Sequence, residues 1–337
     1  MKSIKQTNRL RPALSAWMLT LAMLAGHSAG ANAADDIAVL HAPAAVVPYA
    51  SQEAILGAAD TGKRLVAVGE HGVILLSDDG GRSFRQARSV PTQAQLNAVT
   101  FVGQQGWAVG QWGVVLHSAD NGETWSLQRS DASVDQPLYS TYFLDDQHGF
   151  AVGLWSLFLK TDDGGKTWAA VKIPVQQGMK VKTPNFSHIF GDGKGALFIS
   201  AEHGYVLRSL DGGQTWTYLS TGYEGSFWAG CVDAAGNVVV GGLRGSIYVS
   251  ADRGETWSKA STPAQNSITA ISTSGSRIFA VGLNGTRLVS TDGGKSFESL
   301  GHCGETSYTA LSMSGDSVVP YSTDGVGSPE QVGSSAK

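Results

Sequence analysis

The sequence predicts an all-β, seven-bladed propeller of four-stranded antiparallel blades, and three observations carry that prediction. An eight-residue pattern, [ST]-x-D-x-G-x-[ST]-[WF], occurs six times. A hydrophobic segment broken by a tight turn stands upstream of each copy. The copies also recur at a nearly constant interval. Their aspartates, Asp79, Asp120, Asp163, Asp211, Asp252 and Asp292, lie 41, 43, 48, 41 and 40 residues apart. Repetition at such a period belongs to architectures whose units bury their apolar faces against one another.

The octets are SDDGGRSF, SADNGETW, TDDGGKTW, SLDGGQTW, SADRGETW and STDGGKSF. Aspartate is a short acceptor for backbone N–H groups two residues on, and the following glycine tolerates positive φ. Each octet therefore closes a tight hairpin, its Ser/Thr hydroxyls bonding the turn and its aromatic residue packing inward. The six aspartates are read as structural.

Upstream lie VAVGEHGVILL, WAVGQWGVVLH, FAVGLWSLFLK, FISAEHGYVLR, VVGGLRGSIYV and FAVGLNGTRLV, each reading as strand, turn, strand. A further short apolar piece precedes each one: AILGAAD, LNAVTF, YSTYFL, FSHIF, SFWAGCV and SITAIS. Those pieces supply inner strands, so each repeat holds four strands, as in a propeller blade. The tail repeats the pattern once more, with YTALSM as an inner strand and Ser322-Thr323-Asp324-Gly325 at the turn. A ring must close or expose strand edges. The expected closure pairs the stretch from Ile37 to Ala50 with the tail to complete the seventh blade. Six blades with loose ends is the alternative.

Residues 1–33 read as a secretory signal peptide. Lys2, Lys5, Arg9 and Arg11 form the positive region, Ala13 to Ala25 the apolar run, and Ala31-Asn32-Ala33 the cleavage site. The apolar run is too short to span a bilayer. The expectation is export to a periplasm, cleavage near Ala33, and a single propeller domain over residues 34–337. The net charge of −4 becomes −8 without the leader. That argues against nucleic-acid binding, which needs a basic footprint, and no other segment suggests membrane insertion. Of the two cysteines, Cys231 reads as a buried thiol and Cys303 as a loop thiol. Export would permit a bridge between them.

The octet is the Asp-box, or BNR repeat. The fuller unit xVGxxGxxLxSxDGGxTW, repeated from about Ala54 to Val326, resembles the photosystem II stability/assembly factor family. That resemblance implies a non-enzymatic, monomeric propeller without a cofactor, helping a membrane-protein subunit or complex to assemble from the lumenal or periplasmic side. Photosynthetic members carry an arginine-rich patch. At the matching turns this chain has His71, Trp112, Trp155, His203, Arg244, Asn284 and Asp324, with one arginine among them. The partner is thus either photosystem-like or of another kind, with an RND-type exporter the leading alternative.

In a propeller, turns between second and third strands share a face with the inter-blade loops, opposite the Asp-box hairpins. The seven turn residues should therefore ring one face, and aromatic and Arg side chains there suit a protein-binding patch. The plainer reading is packing against neighbouring loops. The insertion from Val171 to Phe186 adds Lys172, Lys180 and Lys182 to the same face. The loop from Thr221 to Trp228 adds Tyr223, Phe227 and Trp228. His188, in an inner strand, should face the axial channel.

A sialidase-like hydrolase or glycan-binding propeller is the rival, because Asp boxes occur there. Its chemistry needs converging arginines and a Tyr-Glu pair near the axis, and the seven inner-strand candidates contain no arginine. No His pair has metal-ligand spacing. The Asp-Asp-Gly-Gly turns lack the denser oxygen spacing of calcium loops. No metal and no catalytic residue is assigned.

Overall fold

Seven strands form the inner wall of the molecule: Ile55–Asp60, Leu96–Val102, Leu138–Phe143, Phe186–Gly191, Phe227–Val232, Ile268–Ser274 and Tyr308–Ser314. Each packs beside the inner strand of the blade before and after it, and the seventh packs against the first. The computed structural model describes residues 38–179, 181–301, 304–314 and 317–331. Each inner strand opens an antiparallel four-stranded sheet. The seven-bladed all-β ring and its inner strands are those the sequence predicts. The proposed leader (residues 1–33), Lys180 and Cys303 lie outside the described residues. Among the described residues, no helix is long and apolar enough to cross a membrane.

The core is divided among the seams between blades. One cluster joins Val66, Val68 and Leu76 of the first blade to Leu96, Ala108 and Leu116 of the second. Equivalent clusters follow at every later seam, and Leu65, Ala67 and Leu75 meet Ala310, Val319 and Tyr321 where the last blade meets the first. The octet aromatics are wedges in these seams. Trp216 of the fourth blade lies edge-on to Phe150 and Phe158 of the third, and Phe84 of the first lies edge-on to Tyr321 of the last.

All six octets use the same hydrogen bonds. In the first, Ser77 donates to Asp79 Oδ1 at 2.8 Å, Ser83 N–H to the same oxygen at 2.9 Å, and Ser83 Oγ to Oδ2 at 2.6 Å. Gly81 N–H donates to Ser77 Oγ at 2.8 Å. The fourth position is left-handed in every copy, with Asn121 and Arg253 at φ 57° and 59° where the others have glycine. Asparagine tolerates that region better than most residues, and arginine poorly. The backbone carbonyl at this position also ties blades together. Asn121 O accepts from Arg64 at 3.2 Å, and Gly164 O from Trp107 Nε1 and Gln128 Nε2 at 3.0 Å each. Arg253 O accepts from Arg208 at 2.8 Å.

Closure differs from the expected sharing of strands. The last blade takes all its strands from the C-terminal part: Tyr308–Ser314, Ser317–Ser322, Gly325–Val326 and Glu330–Gln331, the last two both pairing with the second. Residues 38–54 contribute no strand. They form an arm held by side-chain and backbone hydrogen bonds: Val47 N–H donates to Gln86 Oε1, Ala44 N–H to Val90 O, and Val39 O accepts from Thr92 Oγ1 and Gln93 N–H. Leu40 is fully buried in the first seam, and a single helical turn, Ala50–Gln52, lies against Gly325–Val326. Leu40 and Ala44 of the arm pack into an existing seam, and Pro43 and Pro48 lack the N–H groups a ladder needs.

The ring is latched by a bulge at the start of each inner strand. Asn97 Nδ2 donates to Leu138 O of the next blade at 2.7 Å, and Thr269 Oγ1 to Tyr308 O at 2.8 Å. Thr309 Oγ1 donates to Ile55 O across the closing seam.

Because the closing seam holds by packing, Tyr321→Ala should cost about 3–5 kcal/mol in urea unfolding, the usual price of an aromatic core truncation; an unchanged midpoint would show that the seam does not bear on stability. The octets also set an acid limit. The hydroxyls of Ser83, Thr167 and Thr256, with their N–H groups, draw the carboxyls of Asp79, Asp163 and Asp252 from 3.8 down to about 2. Carboxyls depressed on folding stabilise fully above their unfolded value and lose that contribution as pH falls towards the folded one. Thermal scans should therefore show this contribution intact above about pH 5 and lost between about pH 4 and 2. Asp163→Asn should flatten part of that loss.

Candidate functional site

The turns between second and third strands share one backbone. His71, Trp112, Trp155, His203, Arg244 and Asn284 all lie in the left-handed region, at φ 53–57°. The following glycine lets the next inter-blade loop come close: a Cβ on Gly72 would stand 2.0 Å from Thr92 O, and one on Gly204 would stand 1.9 Å from Tyr223 O. Asp324 breaks the series. It is exposed, its N–H is taken by Ser322 Oγ at 3.1 Å, and Gly325 supplies the positive φ.

A shared backbone carries side chains in different surroundings. Trp112 is half-buried and packs on the seam between the first and second blades. Trp155 is 56% exposed. His71 is exposed, with Nδ1 3.4 Å from the Glu53 carboxylate. His203, Arg244 and Asn284 are exposed. The six turns thus sit on one side of the ring, presenting unlike groups at equivalent positions.

The loop residues divide similarly. Tyr223 packs against Phe227 and Tyr248 at ring distances of 5.3 and 5.5 Å, and its hydroxyl donates to Leu243 O at 2.9 Å. Phe227 is fully buried. Trp228 is half-buried at the bulge of its inner strand. Lys182 is exposed. His188 has Nδ1 3.1 Å from Ser140 Oγ of the preceding blade, and burial pulls its pKa down to about 4. It is therefore neutral near pH 7 and serves as a hydrogen-bonded strut. Cys231 is a buried free thiol whose pKa burial raises.

The third blade carries what the sequence reading passed over. Its turn reads Leu154-Trp155-Ser156, without the glycine of the other five, and Ser156 is left-handed as well, at φ 59°. Ser156 Oγ donates to Pro184 O at 2.8 Å, the place where Gly72 meets Thr92 O. Trp155 N–H donates to Asn185 Oδ1 at 2.8 Å, and Asn185 is held in turn by the Glu202 carboxylate at 2.9 and 3.1 Å. The missing glycine was visible in LWS; its consequence was not.

On the opposite side, the octet carboxylates are committed to the turn. Each accepts from two hydroxyls and an N–H, as Asp120 does from Ser118, Thr124 Oγ1 and Thr124 N.

A family model described as photosynthesis system II assembly factor YCF48 matches residues 58–133 and 128–272. A solved structure of YCF48 bound to D1 peptide is similar at TM-score 0.67 and 19% identity, covering 84% of this chain and 94% of that one. YCF48 from Cyanidioschyzon merolae is similar at TM-score 0.65 and 18% identity, covering 85% and 97%. No curated protein matches the chain.

The two tryptophans separate packing from display. Trp112→Ala should lower the melting temperature by several degrees, whereas Trp155→Ala should shift it little, as measured by differential scanning fluorimetry. Equal losses would place Trp155 in the core as well.

Proposed function

The chain belongs to the photosynthesis system II assembly factor family, and on that premise we propose that it is a non-enzymatic propeller whose turn-and-loop face holds a membrane-protein subunit during assembly. One observation carries the reading. Six turns share one backbone conformation yet display His, Trp, Trp, His, Arg and Asn. The scaffold is constant while the displayed chemistry varies, as in faces used for recognition.

Catalysis has less support. The seven inner strands carry no arginine to gather a carboxylate near the axis. Tyr223, one half of the adjacent Tyr-Glu pair, spends its hydroxyl on Leu243 O.

The partner belongs on the far side of the inner membrane. The reading of residues 1–33 as a leader supports export, and the acidic balance of the remaining chain speaks against direct binding to an anionic membrane. The lone Arg244 among the turn residues favours a partner other than the photosystem subunit that an arginine-rich patch would suit, and an exporter complex is the second reading. We take the working unit to be a monomer.

The test is capture from detergent-solubilised membranes on immobilised wild-type protein. A discrete membrane-protein subunit should be retained and identified by mass spectrometry. Retention of none, together with turnover of a fluorogenic sialoside, would replace this function with the hydrolase. Secreted protein should begin near Ala34 by intact mass; a retained leader would contradict export.

A further inference from the structure

Resting on that protein-binding function, we propose that the recognition site lies off the axis, on the crest of the third blade, and takes an extended segment that sets a large apolar side chain beside a carboxylate.

Apolar exposure is concentrated there. Eight large hydrophobic side chains are exposed among the described residues, and four of them belong to this crest: Trp155 at 56%, Val134 at 44%, Val175 at 39% and Val171 at 38%. They come from three segments tied together. Gln136 Nε2 of the preceding loop donates to Leu154 O at 2.7 Å. Trp155 N–H and Ser156 Oγ donate to Asn185 and Pro184 of the following loop. Val171 N–H donates to Phe158 O at 2.9 Å. Grouped exposed apolar side chains on a soluble protein mark an interaction surface, whereas scattered ones are ordinary.

The crest is also held in an unfavourable conformation. Trp155 and Ser156 are successive left-handed residues without glycine, and a bulky aromatic in that region is strained. The structure meets that strain with two side-chain anchors and directs Trp155 outward instead of burying it. Strain sustained in this way, under an exposed tryptophan, fits a fixed binding anchor.

Charge selects the partner's chemistry. Lys172 and Lys182 are exposed in the same long loop, and neither meets a carboxylate among the described residues. In the loop on the other side, Asp131 pairs with Arg129 at 3.1 Å, while Asp135, beside Val134, is exposed. The Glu202 carboxylate is engaged by Asn185, which donates to it at 2.9 and 3.1 Å. The crest therefore combines an exposed apolar anchor with two exposed lysines of the following loop. Unpaired lysines on a chain of net charge −4 are complementary to an acidic segment and reject a basic one.

The test uses short fluorescein-labelled peptides that pair Leu or Phe with Glu, and the same peptides with Lys in place of Glu, read by anisotropy with the whole protein. The Glu peptide should bind at least about tenfold more tightly than the Lys peptide. Trp155→Gly should weaken it about tenfold or more, with the melting temperature kept, because glycine adopts the left-handed turn without strain. Lys172→Glu with Lys182→Glu should reverse the peptide preference, and Lys295→Glu, on the exposed octet side, should leave it unchanged. Equal binding of both peptides, binding of neither, or indifference to Trp155→Gly would overturn the proposal. The broader function is judged apart from this. If wild type and Trp155→Gly capture the same membrane subunit equally, protein binding stands and the crest is not its site. If wild type captures nothing, both fall.

Discussion

Each of the six octet hairpins is fixed by one carboxylate that accepts from the hydroxyl two residues before it and from the N–H and hydroxyl four residues after it. This short cycle forces the fourth octet position into the left-handed region and turns that residue's carbonyl outward. In three seams the carbonyl is taken by a side chain of the preceding blade. The same turn sends the octet aromatic back into the seam it helps to close. The octet thereby couples a local turn to the packing between blades. Ring geometry follows from repeating that coupling, and the side opposite the octets is released from structural duty.

The release is uneven. At three of the six equivalent turns, Gly72, Gly204 and Gly245 let a carbonyl of the next loop come close, while at the third blade a serine makes the same contact through its hydroxyl. Trp112 and Trp155 occupy equivalent positions, yet one covers a seam and the other stands clear of it. Equivalent backbone does not fix equivalent burial. The length and path of the neighbouring loops decide it.

Those facts mark what could be read in advance. The octets, the seven inner strands and the ring of turn residues were legible because each is a short-range pattern repeated at a fixed period. Tyr223 could not be assigned to packing or display from its place in an aromatic loop, since its hydroxyl partner, Leu243 O, is twenty residues away in sequence. The closing seam departs from the expected pairing for a similar reason. The stretch from Ile37 to Ala50 is expected to supply a strand, but Leu40 is fully buried between two finished blades. Ser156 was visible as a departure from the glycine pattern, although nothing local showed that Pro184 O would receive it. Period and composition specify the blade; the contacts between blades decide which side chains remain free.

The central claim is a division of labour between the two sides of the ring, and hydrogen–deuterium exchange on the isolated protein and on its complex with a captured membrane subunit tests it most directly. The account predicts new protection in the turns between second and third strands and in the inter-blade loops, greatest over residues 154–156 and 171–185, with the octets unchanged. Protection confined to the octets would place recognition on the side assigned here to structure, and would contradict it.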